Sequence, residues 1–393
     1  MIGELTIRNF KCFKDVKLPL KPITVISGGN GVGKSSMIQS LLLLRQAADQ
    51  LRVLDDLGAL AAGNSADFPV RLNGPYRLAL GNTLTLTNAE LESNEIEIGV
   101  QSADIPEHSA SVTFVADTAA SVTVTGHHTG SNSNAMLNRG GTLPVFSGEF
   151  HYLVAERNGP RDLGEVSAEH FVNTGMAGEH TADAIARAEN LSVHEHLCIV
   201  EGSDLFKIQL EGWMRLLVPN IRLITQSYPE INRVRLSIEK AGTPVAPLSP
   251  TNTGFGISYV LPIIVSGLLA PAGSMLIVEN PEAHLHPAAQ SAVGQFLAHV
   301  ASSGVQVIVE THSENVINGV RLAAINGGID HHEIALFFFS SVDGSTQPQI
   351  DNISVDALAE LSEWPVGFFD QQGQDLTKLM KARRAKRSNP ESI

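Results

Sequence analysis

Eight consecutive residues, Gly28-Gly29-Asn30-Gly31-Val32-Gly33-Lys34-Ser35, fill every fixed position of the phosphate-binding loop pattern G-x-x-x-x-G-K-[ST]. The loop works only between a strand and the start of a helix, so it dictates local structure on both sides. Ile23-Thr24-Val25-Ile26 reads as a short apolar strand, and Met37-Ile38 with Leu41 to Arg45 reads as a helix. Glycines let backbone N–H groups converge on phosphate oxygens. The helix turns its positive end toward the same anion. Asn30, Gly31, Gly33, Lys34, Ser35 and Ser36 are the expected nucleotide contacts. Lys34 reaches the β- and γ-phosphates, and the Ser35 hydroxyl holds Mg2+.

Strand–helix alternation returns after residue 250. Met275 to Val278, Val305 to Val309 and Ile334 to Phe339 are uniformly apolar runs, as a parallel sheet covered on both faces requires. The expected fold class is α/β, with a mostly parallel sheet split in sequence. Residues 1–50 carry its first part, 251–345 carry the rest, 51–250 are an inserted β-plus-helical region, and 346–393 form a C-terminal extension. Inside the insert, Thr83–Thr87, Glu95–Ile98 and Ser121–Thr125 alternate with period two and predict antiparallel strands exposed on one side. Residues 126–141 predict a loop and Phe150–Ala155 a buried strand. A mostly helical stretch spans 163–219, ending with Leu205–Val218, and strands follow at Ile221–Thr225 and Val234–Ile238.

The charge of −14, from 27 basic and 41 acidic residues, argues against wholesale coating of nucleic acid. Two cysteines, Cys12 and Cys198, build neither a disulfide framework nor a cysteine-based zinc site. The chain starts on a strand-like segment without a charged and apolar leader. The apolar run 259–272 is interrupted by Pro262, Ser266 and Gly267 and predicts a buried helix. A cytoplasmic protein without membrane contact is expected.

Three further segments carry chemistry. An apolar strand ending in a carboxylate is the partner that a phosphate loop needs, and Glu279 takes that place, as a second metal ligand with Ser35. His312, in Val309-Glu310-Thr311-His312-Ser313, follows the next strand, where a polar side chain reaches the γ-phosphate or the attacking water. Gly254, Gly256 and Ser258 open an apolar helix and form an anion-facing cluster, suited to a partner subunit's nucleotide.

Together these motifs resemble an ABC-type ATPase, of the branch holding chromosome-maintenance and DNA-repair ATPases and the overcoming-lysogenisation-defect proteins. Ile7 to Lys14 is similar to that branch's first strand, Glu279-Asn280-Pro281-Glu282 with His284 to Pro287 to its acid strand and dimer-contact loop, and Thr311-His312-Ser313 to its switch histidine. Tyr152 to Arg161 and Trp364 to Asp370 resemble bacterial AAA-family ATPases with the uncharacterised DUF3696 domain. The resemblance implies a P-loop NTPase of ABC type that uses ATP and Mg2+. It implies a homodimer or higher oligomer that sandwiches two ATP molecules, each touching Lys34 and Ser35 of one chain and Gly254–Ser258 of the other. It also suggests bacterial anti-phage defence or genome maintenance, with a separately encoded effector protein.

The pattern departs from that family at Asn280, where ABC enzymes carry the glutamate that orients water. Either Glu282 takes the role, or hydrolysis is slow and the closed dimer is long-lived, an ATP-gated scaffold holding a toxin. A DNA-repair ATPase is a third reading, in which nucleic acid is open as a partner but not required. The magnesium-sensing glutamine is not obvious, with Gln39 and Gln46 as candidates. No acidic cluster of a TOPRIM nuclease follows His312, so no nuclease of that type is expected. The histidine pairs 194/196 and 284/286 lack a clear third ligand and are not read as metal sites. Lys378, Lys381, Arg383, Arg384, Lys386 and Arg387 form a basic tail, plainly a solvated helix end and more sharply a nucleic-acid contact. Arg157 and Arg161 are open between an anion or subunit contact and surface salt bridging.

Overall fold

The computed structural model describes residues 1–56, 67–116, 121–129, 136, 143–169, 171–240, 242, 246–365, 367–369 and 371–388. In chain order the strands are β1 Ile2–Phe10, β2 Phe13–Pro19, β3 Ile23–Gly28, β4 Phe68–Arg71, β5 Glu95–Ser102, β6 Ser109–Val115, β7 Ser121–Thr129, β8 Phe150–Leu153, β9 Leu163–Glu165, β10 Ile221–Tyr228, β11 Arg233–Lys240, β12 Met275–Glu279, β13 Gln306–Glu310, β14 Ile334–Ser340 and β15 Gln349–Ile353. The helices are α1 Lys34–Asp56, α2 Thr181–Ala188, α3 Phe206–Arg215, α4 Phe255–Leu269, α5 Pro287–Ser302, α6 Glu314–Ile325 and α7 Gln371–Ser388.

The central sheet runs β15-β14-β3-β13-β12-β8, parallel throughout except for β15. Its strands are buried on both faces, and alternate residues feed two cores. Val25, Val307, Val309, Leu276 and Val278 pack toward α4, α5 and α6. Ile26, Ile308, Ile277 and Phe337 pack toward α1 and a second, antiparallel sheet, β2-β1-β5-β6-β7-β4. Helix α1 is therefore enclosed between two sheets. That explains its all-round apolar run, in which every residue from Ser40 to Ala48 is buried. A third sheet, β10-β11-β9, joins the α4 side of the core with α2 and α3.

The split parallel sheet is as expected, with one addition: β8, from the middle of the chain, forms its outer edge beside β12. Other expectations differ. Thr83–Thr87 is not a strand; Thr83–Thr85 is one 3-10 turn, because the Asn82 side chain accepts from Leu84 N at 3.1 Å and bends the chain first. The stretch 163–219 is much less helical than its composition suggests. It holds β9, α2 and α3, with left-handed turns at Gly175, Gly178 and Gly202 between them. Within the predicted loop 126–141, β7 continues to Thr129, and 130–135 and 137–141 lie outside the described residues. The 259–272 run is a buried helix, and among the described residues no helix is long and apolar enough to cross a membrane.

Candidate nucleotide-binding site

Backbone hydrogen bonds bring three strand tips together at the carboxyl edge of the parallel sheet, where ligands of such sheets bind. Thr311 N donates to Ile26 O at 3.0 Å and Asn280 N to Glu310 O at 2.8 Å. The phosphate loop leaves the tip of β3, with β13 and then β12 on one side of it. Gly28 and Gly33 have φ of +139° and +99°, and a Cβ on either would strike Phe339 O at 2.2 Å or Cys12 Sγ at 2.5 Å. The loop therefore needs glycine for space as well as for conformation. Lys34 is 4% exposed, and its ammonium donates to the carbonyls of Gly28 and Gly29. Burial lowers its pKa, and the Glu310 charge opposes that. Asn30, Gly31 and Ser35 are exposed on the loop, with Ser36 partly buried. Beside it opens a cavity of about 670 Å3 lined by Lys11, Cys12, Gly31, Val32, Thr85 and Thr346.

The carboxylate at the loop serine is Glu310, a residue that the sequence reading passed over. Ser35 Oγ lies 3.2 Å from both of its oxygens. Burial, and then the neighbouring Glu279 charge, push the Glu310 pKa up to about 7. Glu279, the residue expected to share the metal with Ser35, sits one strand further out. It accepts from Tyr152 OH at 2.9 Å and Ala155 N at 3.2 Å, on the β8 side. Burial raises its pKa, against the pull of the Tyr152 bond. The signal for Glu310 was a carboxylate ending a strand; what the sequence withheld was that this strand lies next to the phosphate-loop strand.

Glu282 accepts from Thr311 Oγ1 and from His312 N, both at 2.7 Å. The His312 ring is exposed, and its pKa is lowered by burial and then by the Lys34 charge, so the histidine stands within electrostatic reach of the loop lysine. Asn280 adopts φ of +44°, which asparagine tolerates, and its Oδ1 is buried without a hydrogen-bond partner. Of the two candidate glutamines, Gln39 accepts from Lys11 Nζ at 2.6 Å and Gln46 donates to Arg71 O at 3.0 Å.

Arg157 is neither a surface salt bridge nor an exposed anion contact. It is 3% exposed and donates to four carbonyls: Val154 at 2.9 Å, Glu279 at 2.6 Å, Asn280 at 2.7 Å and Tyr259 at 3.0 Å. Burial pushes its pKa down to about 10. One guanidinium thus ties the tip of β12 to the first turns of α4. Arg161 bonds Asn158 Oδ1 at the surface. Helix α4 begins after Gly254, which is exposed, as is Phe255. The Gly254–Ser258 segment lies against the 280–286 loop of its own chain: a Cβ on Gly256 would meet His284 O at 2.8 Å. The rings of Tyr259 and His284 are 4.4 Å apart, and His286 caps α5, so both histidines of that pair have structural partners. The tail segment packs through Phe368, 5.3 Å from the Phe338 ring of β14. Basic Lys378, Lys381, Arg383 and Arg384 are exposed on α7; the side chains of Lys386 and Arg387 lie outside the description.

Comparison with known proteins finds ATPase families in the segments that build this site. Residues 1–114 match the AAA ATPase domain family. Residues 215–318 match the family described as AAA domain, putative AbiEii toxin, Type IV TA system, and 329–379 match DUF3696, a family of unknown function. A stretch of 44 residues is 41% identical to the OLD nuclease of Thermus scotoductus, covering 11% of this chain and 8% of that protein. An SMC head solved bound to the C-winged helix domain of ScpA is similar in fold, at a TM-score of 0.51 and 15% identity over 90% of this chain and 98% of that one. The SMC head domain from Thermotoga maritima, at a TM-score of 0.46 and 13% identity over 90% and 99%, adds no weight. Two segments thus match AAA ATPase families and a third matches DUF3696, on a fold similar to that of an SMC head.

Proposed function

We propose that this chain binds Mg·ATP at the phosphate loop and hydrolyses it, and that the nucleotide closes two copies face to face and so switches a separately encoded effector in bacterial defence. The observation that carries the reading is the Ser35 hydroxyl at 3.2 Å from both Glu310 oxygens, on the turn that also presents Lys34. A hydroxyl with the carboxylates of Glu310 and Glu279 behind it is a hard oxygen donor set, which suits Mg2+. Bound there, Mg2+ supplies charge neutralisation to the β- and γ-phosphates. Lys34 adds a cation on the same oxygens, and the loop amides fix the phosphate chain. Glu282, anchored by Thr311 and the His312 amide, is the group we assign to orienting water, with His312 beside the γ-phosphate.

Residues 1–50 and 251–345 form the nucleotide-binding body in this reading, completed by β8 and Arg157 from the insert, with 346–393 as an extension. The Gly254–Ser258 start of α4, exposed at Gly254 and Phe255, serves the partner's nucleotide. Hydrolysis that releases the γ-phosphate removes the contacts that favour closure. Phosphate release and oligomeric state, measured with and without Mg·ATP, test the proposal: a Lys34→Ala variant should lose both responses, and a parent that ignores ATP sinks it.

Asn280 supports a second reading, a scaffold that binds ATP and rarely hydrolyses it, because its amide cannot accept a proton and its Oδ1 is buried unpartnered. General-base help is commonly worth about 10²–10⁴ in rate. Brisk turnover abolished by Glu282→Gln would exclude the scaffold. DNA-stimulated turnover would instead favour a maintenance role.

A further inference from the structure

A second cavity, of about 700 Å3, runs along β8 at the edge of the parallel sheet, and no phosphate-loop residue lines it. Small-molecule sites typically occupy about 300–1,000 Å3. His151, in the middle of β8, lines the cavity; it is 4% exposed and its Nε2 has no hydrogen-bond partner. Buried polar atoms in native proteins nearly always have one. The ring stands edge-on to Phe171 at 5.9 Å. Burial pushes its pKa down to about 4, so it is neutral at physiological pH and offers either one N–H or one lone pair at Nε2.

The remaining lining disfavours anions. Arg45 and Arg52 both pair with Asp49 and also donate to carbonyls between Val145 and Ser147, so their charge is already committed. Glu169 and Glu179 add two more carboxylates. A phosphate or carboxylate ligand would meet net repulsion, whereas N–H donors would find acceptors. Phe171, beside His151, supplies flat apolar surface that suits a planar ring, while the Phe150 ring is already covered by the Arg45 guanidinium at 5.0 Å.

We propose that this cavity binds a small planar nitrogen heterocycle without phosphate, of the nucleobase or nucleoside kind, hydrogen-bonded to His151. The next residue, Tyr152, also lines the cavity, and its hydroxyl donates to Glu279 at 2.9 Å. Tyr152 points to the opposite face of β8 from His151, so a ligand held at His151 bears on the Glu279 carboxylate through the strand that the two residues share. That coupling rests on the proposed ATPase activity; the binding does not.

Titration of the full chain with adenosine and guanosine by calorimetry, with and without Mg·ATP, tests the site. The expected result is binding of at least one of them that persists in the presence of Mg·ATP and in Lys34→Ala, and weakens about tenfold, or about 1.4 kcal/mol, in His151→Leu. If His151→Leu melts early, Glu169→Ala, at an exposed position, provides the second variant and should weaken binding several-fold. No heat with either nucleoside, binding competed away by Mg·ATP, or binding indifferent to both variants overturns the proposal. Turnover unchanged at saturating nucleoside overturns the coupling alone.

Discussion

The Ser35 hydroxyl and the Glu310 carboxylate meet at 3.2 Å across 275 residues of sequence. The contact joins the first turn of α1 to the tip of β13, and it places the most perturbed carboxyl of the site beside the residue that the loop pattern reserves for the metal.

Glu310 makes stability depend on pH. Its pKa of about 7, against an ordinary 4.5, means that the folded chain holds a proton that the unfolded chain releases. Stability is therefore highest below about pH 4.5 as far as this group is concerned, and falls as pH rises to 7. At about 1.4 kcal/mol per pKa unit, the full loss is on the order of 3 kcal/mol. Glu310→Gln, which mimics the protonated form, should melt higher than the parent at pH 8 and near it at pH 5. A melting difference that does not change with pH refutes this.

Arg157→Met should unfold the site. Four carbonyls lose their donor together, and removing one side of such a buried network costs about 3 kcal/mol or more. A fall in melting temperature of several degrees, measured by circular dichroism, is expected. Arg157→Lys should recover little, because an ammonium cannot reproduce the planar fork.

Gly33→Ala tests the loop without touching charge. The added Cβ would lie 2.5 Å from Cys12 Sγ at a backbone φ of +99°. ATP affinity should fall at least tenfold, and the clash and strain should also lower the melting temperature of the nucleotide-free protein by a few degrees. Pairing with Cys12→Ala relieves the clash but not the dihedral strain, so recovery should be partial; complete recovery would show that φ is not limiting.

Tyr152→Phe removes one hydrogen bond from the charged form of Glu279, worth about 1 kcal/mol. That bond holds the Glu279 pKa down against burial, so the variant's carboxyl should protonate at higher pH. Mg2+ affinity in the presence of ATP should drop more at pH 6 than at pH 8. An equal drop at both values counts against the role of Glu279.

Local chemistry made much of this site legible. The loop, its flanking strand and helix, and the uniformly apolar runs of β12, β13 and β14 could be read because each depends on neighbours in sequence. Thr83–Thr87 misled for the converse reason: its alternation is genuine, but the Asn82 side chain and the turn at Gly81 act before strand pairing can. Arg157 and Glu310 could be seen as residues but not as partners. Nothing in a charged side chain announces that four carbonyls or a distant serine will surround it.

The amino-acid order alone determined that a phosphate loop would form, and that it would sit on an α/β sheet divided between the two ends of the chain. Tertiary structure decided which carboxylate faces Ser35. It also drew β8 from the inserted region to the sheet edge, and buried Arg157 between β12 and α4. Strand order and long-range burial are set by how whole layers pack, and that information is spread over the chain rather than written at any one position.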